Sequence, residues 1–234
     1  MSTLLNRAGK DSAAAAVSRS MGTTERVAEV IRLGIRTGQF VPGQHLVEVE
    51  LTQRLGISRS SLREALRHLN GDGIVAMHRY RGTHICRLSR KAAGDLLEVL
   101  EQLVRRAARR AATPPLPNRR LMDAATAPAD RHRQAADFSA YLGVRQSFYD
   151  ALFEISGNDE LPRVTPLRRA DLFRAQIRPY QSMEDQHIHA EGYRTIAEAV
   201  LSGDQERADR AVMELFATTR AMVDRMPPES FDQS

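Results

Sequence analysis

The spacing of apolar positions gives the chain two different textures. In the first third, Val27, Val30, Ile31 and Ile35 recur at three-four spacing and predict a one-sided helix. Thr23 or Thr24 is placed to cap its start, Gly38 to end it, and Pro42-Gly43 to turn the chain. A second, short helix is predicted from about Val47 to Leu55, with Val47, Leu51 and Leu55 on one side. Gly56 stops it, Ile57 plugs the turn, and Ser58 can accept the first free amides of a third helix. That third helix, Arg59 to Asn70, sets Leu62, Ala65, Leu66 and Leu69 on an apolar face and Arg59, Ser60, Arg63 and Arg67 on the other. The period then changes. Ile74-Val75-Ala76-Met77-His78 and Thr83-His84-Ile85-Cys86-Arg87 read as short strands joined through Tyr80-Arg81-Gly82, with Gly82 able to take the turn's positive φ. Helix, turn, helix and hairpin predict a winged helix-turn-helix.

From Ser89 onward the pattern is helical. Leu96, Leu97, Leu100, Leu103 and Val104 define a helix of about 90–112, closed by Thr113-Pro114-Pro115. Helical segments near 118–134, 137–156, 159–179, 183–202 and 204–226 follow, and Pro162 and Pro166 should confine or kink the start of the fourth helix. The fold class is therefore mainly α: a flexible arm at 1–22, a winged helix-turn-helix at 23–88, an all-helical bundle of about six helices at 89–227, and a frayed tail at 228–234.

A composition of 42% apolar and 27% charged residues fits a folded chain and excludes disordered and collagen-like ones. No apolar run reaches 18 residues, and Met1 to Met21, with Arg7, Lys10, Asp11 and Arg19, holds no long apolar stretch, so no membrane partner and no export are expected. The single cysteine, Cys86, forbids an intrachain disulfide framework and suits a reducing compartment, read as the cytoplasm. The charge is uneven. Residues 1–88 carry 13 Arg/Lys against 7 Asp/Glu, whereas 89–234 carry 21 against 22, which points to one module that meets a polyanion and one that does not. No G-x-x-x-x-G-K-[ST], G-x-G-x-x-G, H-E-x-x-H or G-x-S-x-G is present, and Cys86 lies in the predicted wing, so the chain is not expected to be an enzyme.

The order of these pieces resembles the GntR-type bacterial transcription regulators, in the branch with an all-helical FCD ligand-binding domain. The residues that carry the resemblance are Gly38-Gln39-Phe40-Val41-Pro42-Gly43-Gln44-His45-Leu46, then Leu51 through Leu66 with Gly56-Ile57-Ser58-Arg59 at its turn, then Leu69 through Val75 and Arg81-Gly82. In the bundle, Phe148, Ser156-Gly157-Asn158 and Ala199-Val200-Leu201-Ser202-Gly203-Asp204 look like FCD landmarks, and six helices resemble the VanR-type subgroup. The resemblance implies a DNA-binding regulator, read as a repressor. It implies a homodimer on a palindromic double-stranded operator and a small organic effector in the bundle. The rival readings are a nucleoid-type architectural binder without effector and an enzyme built on the bundle.

Carried over by position, the family's DNA contacts fall on Ser58, Arg59, Ser60, Ser61 and Arg63, and on Arg81 and Gly82 at the wing tip. Arg67 continues the same face. Physics agrees: a helix N-terminus offers amides to a phosphate, short serines permit close approach, and an arginine can bridge guanine O6 and N7. Charges at four-residue spacing usually mean only a solvated face, and the flanking turn and wing turn that reading aside. Val47 and Val49 depart from the family pattern, where a serine cap and an arginine are usual.

Many FCD domains look as if they hold a divalent metal through an Asp, a His four residues later, and two further His. Those positions fall here on Arg145, Tyr149, Tyr193 and Leu215, so no metal cofactor is expected. Arg145 then either grips a carboxylate effector through a two-pronged pair, or bridges to an acidic neighbour, or points to solvent. Arg174 and Arg178 share a face at i, i+4 and reach the cavity, unless Asp171 pairs with one of them on the surface. Tyr149 and Tyr193 are pocket hydroxyls or packed aromatics. Asp185, His187 and His189 form a loose cluster whose His189 lines the pocket, lies on the surface, or joins Asp185 on a metal. Arg105-Arg106 and Arg109-Arg110 read as a solvated face.

Overall fold

The computed structural model describes residues 22–113 and 138–233, and the chain forms two compact units that divide after Cys86. The expected arm and the expected helix at 118–134 lie outside the described residues, the arm save for Gly22. The first unit holds α1 (Thr23–Thr37), β1 (His45–Leu46), α2 (Glu48–Leu55), α3 (Arg59–Gly71), β2 (Val75–His78) and β3 (Gly82–Ile85). The strands make an antiparallel sheet in the order β1-β3-β2, with His45 opposite His84 and Val75 opposite Ile85. Ala28, Ile31, Leu62, Ala65, Leu66 and Leu69 are fully buried, so α1 and α3 supply the centre of the core.

Three local expectations change. Gly22, with no side-chain cap, precedes α1, and the Thr24 hydroxyl instead donates to Glu64 at 3.2 Å. Val30 is exposed because the buried stripe of α1 runs through Val27, Ala28, Ile31, Gly34 and Ile35. Gly34 fixes that rotation: a Cβ there would come within 2.3 Å of the Phe40 ring. Val47 is exposed too, since it stands before α2 with an extended backbone, off the helical face. Arg32 is a charge in the apolar stripe of α1, held by Glu25 at 2.8 Å and Asp72 at 3.0 Å. These two bonds outweigh burial and raise its pKa.

The second unit holds α4 (Arg90–Ala111), α5 (Phe138–Ser156), α6 (Leu161–Val164), α7 (Leu167–Ile177), α8 (Met183–Leu201) and α9 (Gln205–Arg225). Ser89 caps α4, and Ser182 with Asp185 forms a reciprocal capping box on α8. The predicted segment 159–179 is broken into α6 and α7 because Pro166 drives Thr165 into an extended conformation. Of the arginines read as a solvated face of α4, Arg106 is exposed as expected, but Arg105 makes a two-pronged pair with Asp209, Arg109 meets Glu206, and Arg110 donates to the Ser156 carbonyl. The tail is docked rather than frayed. Phe231 is buried beneath the Arg90 guanidinium, 4.5 Å from its ring, and the Asp232 amide donates to the Leu88 carbonyl at 3.0 Å.

Candidate DNA-binding surface and buried polar site

The helix-turn-helix forms as its punctuation dictates. Gly56 ends α2 with φ 62°, and the Ser58 hydroxyl accepts the Ser61 amide at 3.1 Å to start α3. Ser60 and Ser61 turn their hydroxyls toward Ser58, at 2.8 and 2.9 Å, so three short polar groups crowd one helix N-terminus. Leu62, Ala65, Leu66 and Leu69 are buried, which leaves Arg59, Arg63 and Arg67 on the exposed face. Arg63 is engaged by Glu48 of α2 at 3.1 Å, whereas Arg59 and Arg67 have no side-chain partner among the described residues.

The wing places Arg79, Tyr80 and Arg81 in succession on the turn between β2 and β3. Gly82 is required by its backbone, whose φ is 72°, and the exposed His45 side chain lies close against it, where a Cβ would come within 2.6 Å of Nε2. Tyr80 escaped the sequence reading. It is 90% exposed, with Arg79 5.7 Å from its ring centre, and an aromatic at the tip of a hairpin between two arginines is the signal that could have found it.

Inside the helical unit the expected pocket residues separate. Arg145, 2% exposed, is ion-paired to Asp171 and lies over the Tyr149 ring at 4.9 Å. Asp171 therefore meets Arg145 rather than pairing with Arg174 or Arg178 at the surface. Tyr149 and Tyr193 are buried and pack edge to face at 5.9 Å, with Phe148 4.8 Å from Tyr193. Gly192 lets Leu215 close in, since a Cβ there would meet its side chain at 2.7 Å. A guanidinium, two packed phenols and a leucine side chain do not suit a divalent cation.

Arg178 is exposed whereas Arg174 is buried: its backbone is still helical and its amide donates to the Arg174 carbonyl, but it stands at the end of α7, where the chain turns into the 3-10 helix Arg178–Tyr180. His187 is exposed, and the Asp185 side chain is spent on the capping box. Among the described residues no three His, Cys, Asp or Glu side chains gather as metal ligands.

His189, 1% exposed, is the centre of the second half of the polar cluster. Its Nδ1 lies 2.7 Å from the Asp185 carbonyl, which can only accept, so Nδ1 carries the proton. Its Nε2 lies 3.1 Å from Arg174 Nη1, which can only donate, so Nε2 must accept. The ring is neutral by geometry. Burial and the Arg174 charge agree, lowering its pKa to about 3. Thr219, which sequence reasoning missed, completes the set 2.9 Å from Nε2 and accepts from Arg174 Nη2 at 3.4 Å. Arg174 is 7% exposed, and its side-chain hydrogen-bond partners among the described residues are both neutral.

Residues 23–85 match the family described as bacterial regulatory proteins, gntR family, and residues 95–218 match the FCD domain. An HTH-type transcriptional regulator of Agrobacterium vitis, encoded between ttuE and ttuC', is 37% identical over 93 residues, 40% of this chain and 54% of that protein. The chain thus aligns with about half the length of that relative. Two solved structures share the fold. McbR/YncC of E. coli superposes with a TM-score of 0.75 at 17% identity, covering 88% of this chain and 98% of that one. A GntR transcriptional regulator of Rhodococcus sp. RHA1 superposes with a TM-score of 0.74 at 22% identity, over 87% and 99%.

Proposed function

The chain belongs to the GntR family of regulators with an FCD domain, and on that premise we propose that it is a DNA-binding transcription regulator, not an enzyme, that works as a repressor in the cytoplasm. The observation that carries the reading is Arg59 on the exposed face of α3, without a side-chain partner among the described residues, one residue after the Ser58 cap and on the same unit as the Arg79-Tyr80-Arg81 tip. Arg59, Arg67 and the serine cluster meet one half-site in the major groove, and Arg81 follows the backbone beside it. Arg63 must first leave Glu48. A homodimer through the helical unit, of the VanR-like kind, pairs two such surfaces on a palindromic operator. Selection of duplexes from a random pool tests this. The parent should enrich a palindrome, and Arg59→Ala should not. Enrichment of nothing, with uniform binding to all duplexes, would favour an architectural binder instead.

The effector we propose is a small carboxylate held by Arg174 rather than by Arg145. Arg145 already has its carboxylate, Asp171, whereas Arg174 is a buried cation whose hydrogen-bond partners among the described residues are both neutral, an arrangement that an incoming anion relieves. His189 is bonded to Arg174 and would share the ligand, Tyr149 and Tyr193 pack beside Arg145, and in this reading no metal is needed to hold the ligand. Thermal unfolding with a panel of small carboxylates and their neutral amides tests this. A ligand at 100 times its Kd stabilises by about 2.7 kcal/mol. Arg174→Met should erase the shift. A shift from the amides alone, or one that survives in Arg174→Met, would overturn the assignment.

A further inference from the structure

We propose that Gln176 couples the buried polar site to the segment that carries the DNA-binding unit, with α7 as the lever between them. The proposal rests on the regulator reading above and adds a route to it. Two residues beyond Arg174, Gln176 is buried and its amide is fully used: Oε1 accepts the Leu88 N–H at 2.8 Å, and Nε2 donates to the Leu88 and Ser230 carbonyls, both at 2.9 Å. Leu88 is the second residue after Cys86, where the first unit ends. Segments that join domains are usually solvated and loose. This one is gripped. Arg87 donates to the Glu229 carbonyl, Arg90 donates to the Val223 and Met226 carbonyls, and the Asp232 amide adds a second donor at the Leu88 carbonyl.

The other end of the lever is the polar site. Asp171 and Arg174 of α7 hold Arg145 of α5, His189 of α8 and Thr219 of α9. Arg174 spends two of its five N–H donors on His189 and Thr219, so an anion that draws the guanidinium toward itself pulls on, or breaks, the bonds that tie α7 to α8 and α9. Buried amides and carbonyls are not left unpaired, and packed helices move between discrete arrangements rather than bending smoothly. A shift of α7 therefore either drags Leu88 with it or breaks the clamp. A competing route exists along α9, where Thr219 is followed four residues later by Val223, whose carbonyl accepts from Arg90.

Two variants of the full chain separate the routes. Thr219→Val is nearly isosteric and loosens the polar site from the α9 side. Gln176→Met fills the same space and makes none of the three bonds. Hydrogen exchange of the peptide spanning 86–92 should rise at least three-fold in Thr219→Val, and Thr219→Val should add nothing further once Gln176→Met is present. Gln176→Met, which is not among the proposed DNA contacts, should also change affinity for the duplex selected with the parent by at least five-fold. An unchanged peptide in Thr219→Val, an equal rise with and without Gln176, or an unchanged duplex affinity in Gln176→Met each overturns the proposal. Should the methionine variant not fold, Gln176→Asn, one methylene too short to reach Leu88, takes its place. If the parent selects no duplex, the regulator reading fails on its own, and the exchange measurements still decide whether the clamp transmits.

Discussion

The two units use the same side chain in opposite ways. In the helix-turn-helix unit, Arg59, Arg67 and Arg81 stand on an exposed surface, where a guanidinium without a partner is stable in water and available to a phosphate. In the helical unit, Arg145 and Arg174 are enclosed, and an enclosed cation demands an accounting of every acceptor around it. The informative feature differs accordingly. Outside, it is the position of the arginine on a helix or turn; inside, it is the contrast between Arg145, matched by Asp171, and Arg174, whose side-chain hydrogen-bond partners among the described residues are neutral. Arg32 is the exception in the first unit: it faces the core, and three acids, Glu25, Glu29 and Asp72, surround it.

The contrast would break most visibly at the enclosed pair. Asp171→Ala removes the carboxylate ion-paired to the buried Arg145, and should destabilise the helical unit by about 3–5 kcal/mol. Glu48→Ala, which frees the exposed Arg63, should change stability by no more than about 1 kcal/mol. Urea unfolding of the two variants measures both, and equal losses would erase the distinction between the units. The next largest effect comes from pH. His189 has a folded pKa of about 3 against an ordinary 6.5, so above pH 6.5 it is neutral in both states and contributes nothing to the pH dependence. Below that the unfolded chain takes a proton that the folded one refuses, and stability falls until the folded pKa is reached. At pH 5 the loss is about 2 kcal/mol. His189→Gln should flatten unfolding curves between pH 6.5 and 5. An unchanged slope there would mean that another group carries it.

The sequence made the first unit legible because its signals are local. Ser58 next to Gly56, the Leu62-to-Leu69 stripe and Gly82 each act within a few residues, and each does in the structure what its chemistry predicts. β1 was not legible, since a two-residue strand has no period and owes its existence to β3, almost forty residues away. In the second unit the helices were legible and the wiring between them was not. Arg105 and Arg109 showed four-residue spacing, but their partners Asp209 and Glu206 lie on α9, roughly a hundred residues on. Arg178 keeps the i, i+4 backbone relation to buried Arg174 and is nonetheless exposed, because it stands at the end of α7, and Phe231, a single aromatic after Pro227-Pro228, carries no periodic mark of being buried.

Among the proposed DNA contacts the exposed arginines should themselves divide by whether they begin free. Arg59→Ala should weaken binding to the selected duplex by about 1–3 kcal/mol, the range for a side chain that reads a base edge, with folding unchanged. Arg63→Ala should lose less, because the parent must first give up the Glu48 bond that the variant never had. Titrations at fixed salt check the order. A larger loss from Arg63 would mean that Glu48 positions it for contact instead of holding it back.

The smallest effect belongs to the wing. Arg81 sits on the turn that Gly82 and His45 hold in place, and a guanidinium there meets the phosphate backbone, which is the same for every sequence. Removing it should weaken binding to selected and random duplexes by the same factor, about 1 kcal/mol in each case. The salt dependence gives the sharper reading. Each phosphate neutralised adds about 0.9 to the slope of log affinity against log salt, so Arg81→Ala should reduce that slope by about one while Arg59→Ala, if it reads a base, leaves it nearly unchanged. A selective loss on the enriched duplex with an unaltered slope would instead place Arg81 on a base edge. The wing would then share in specificity, and the division between a reading helix and a positioning wing would fail.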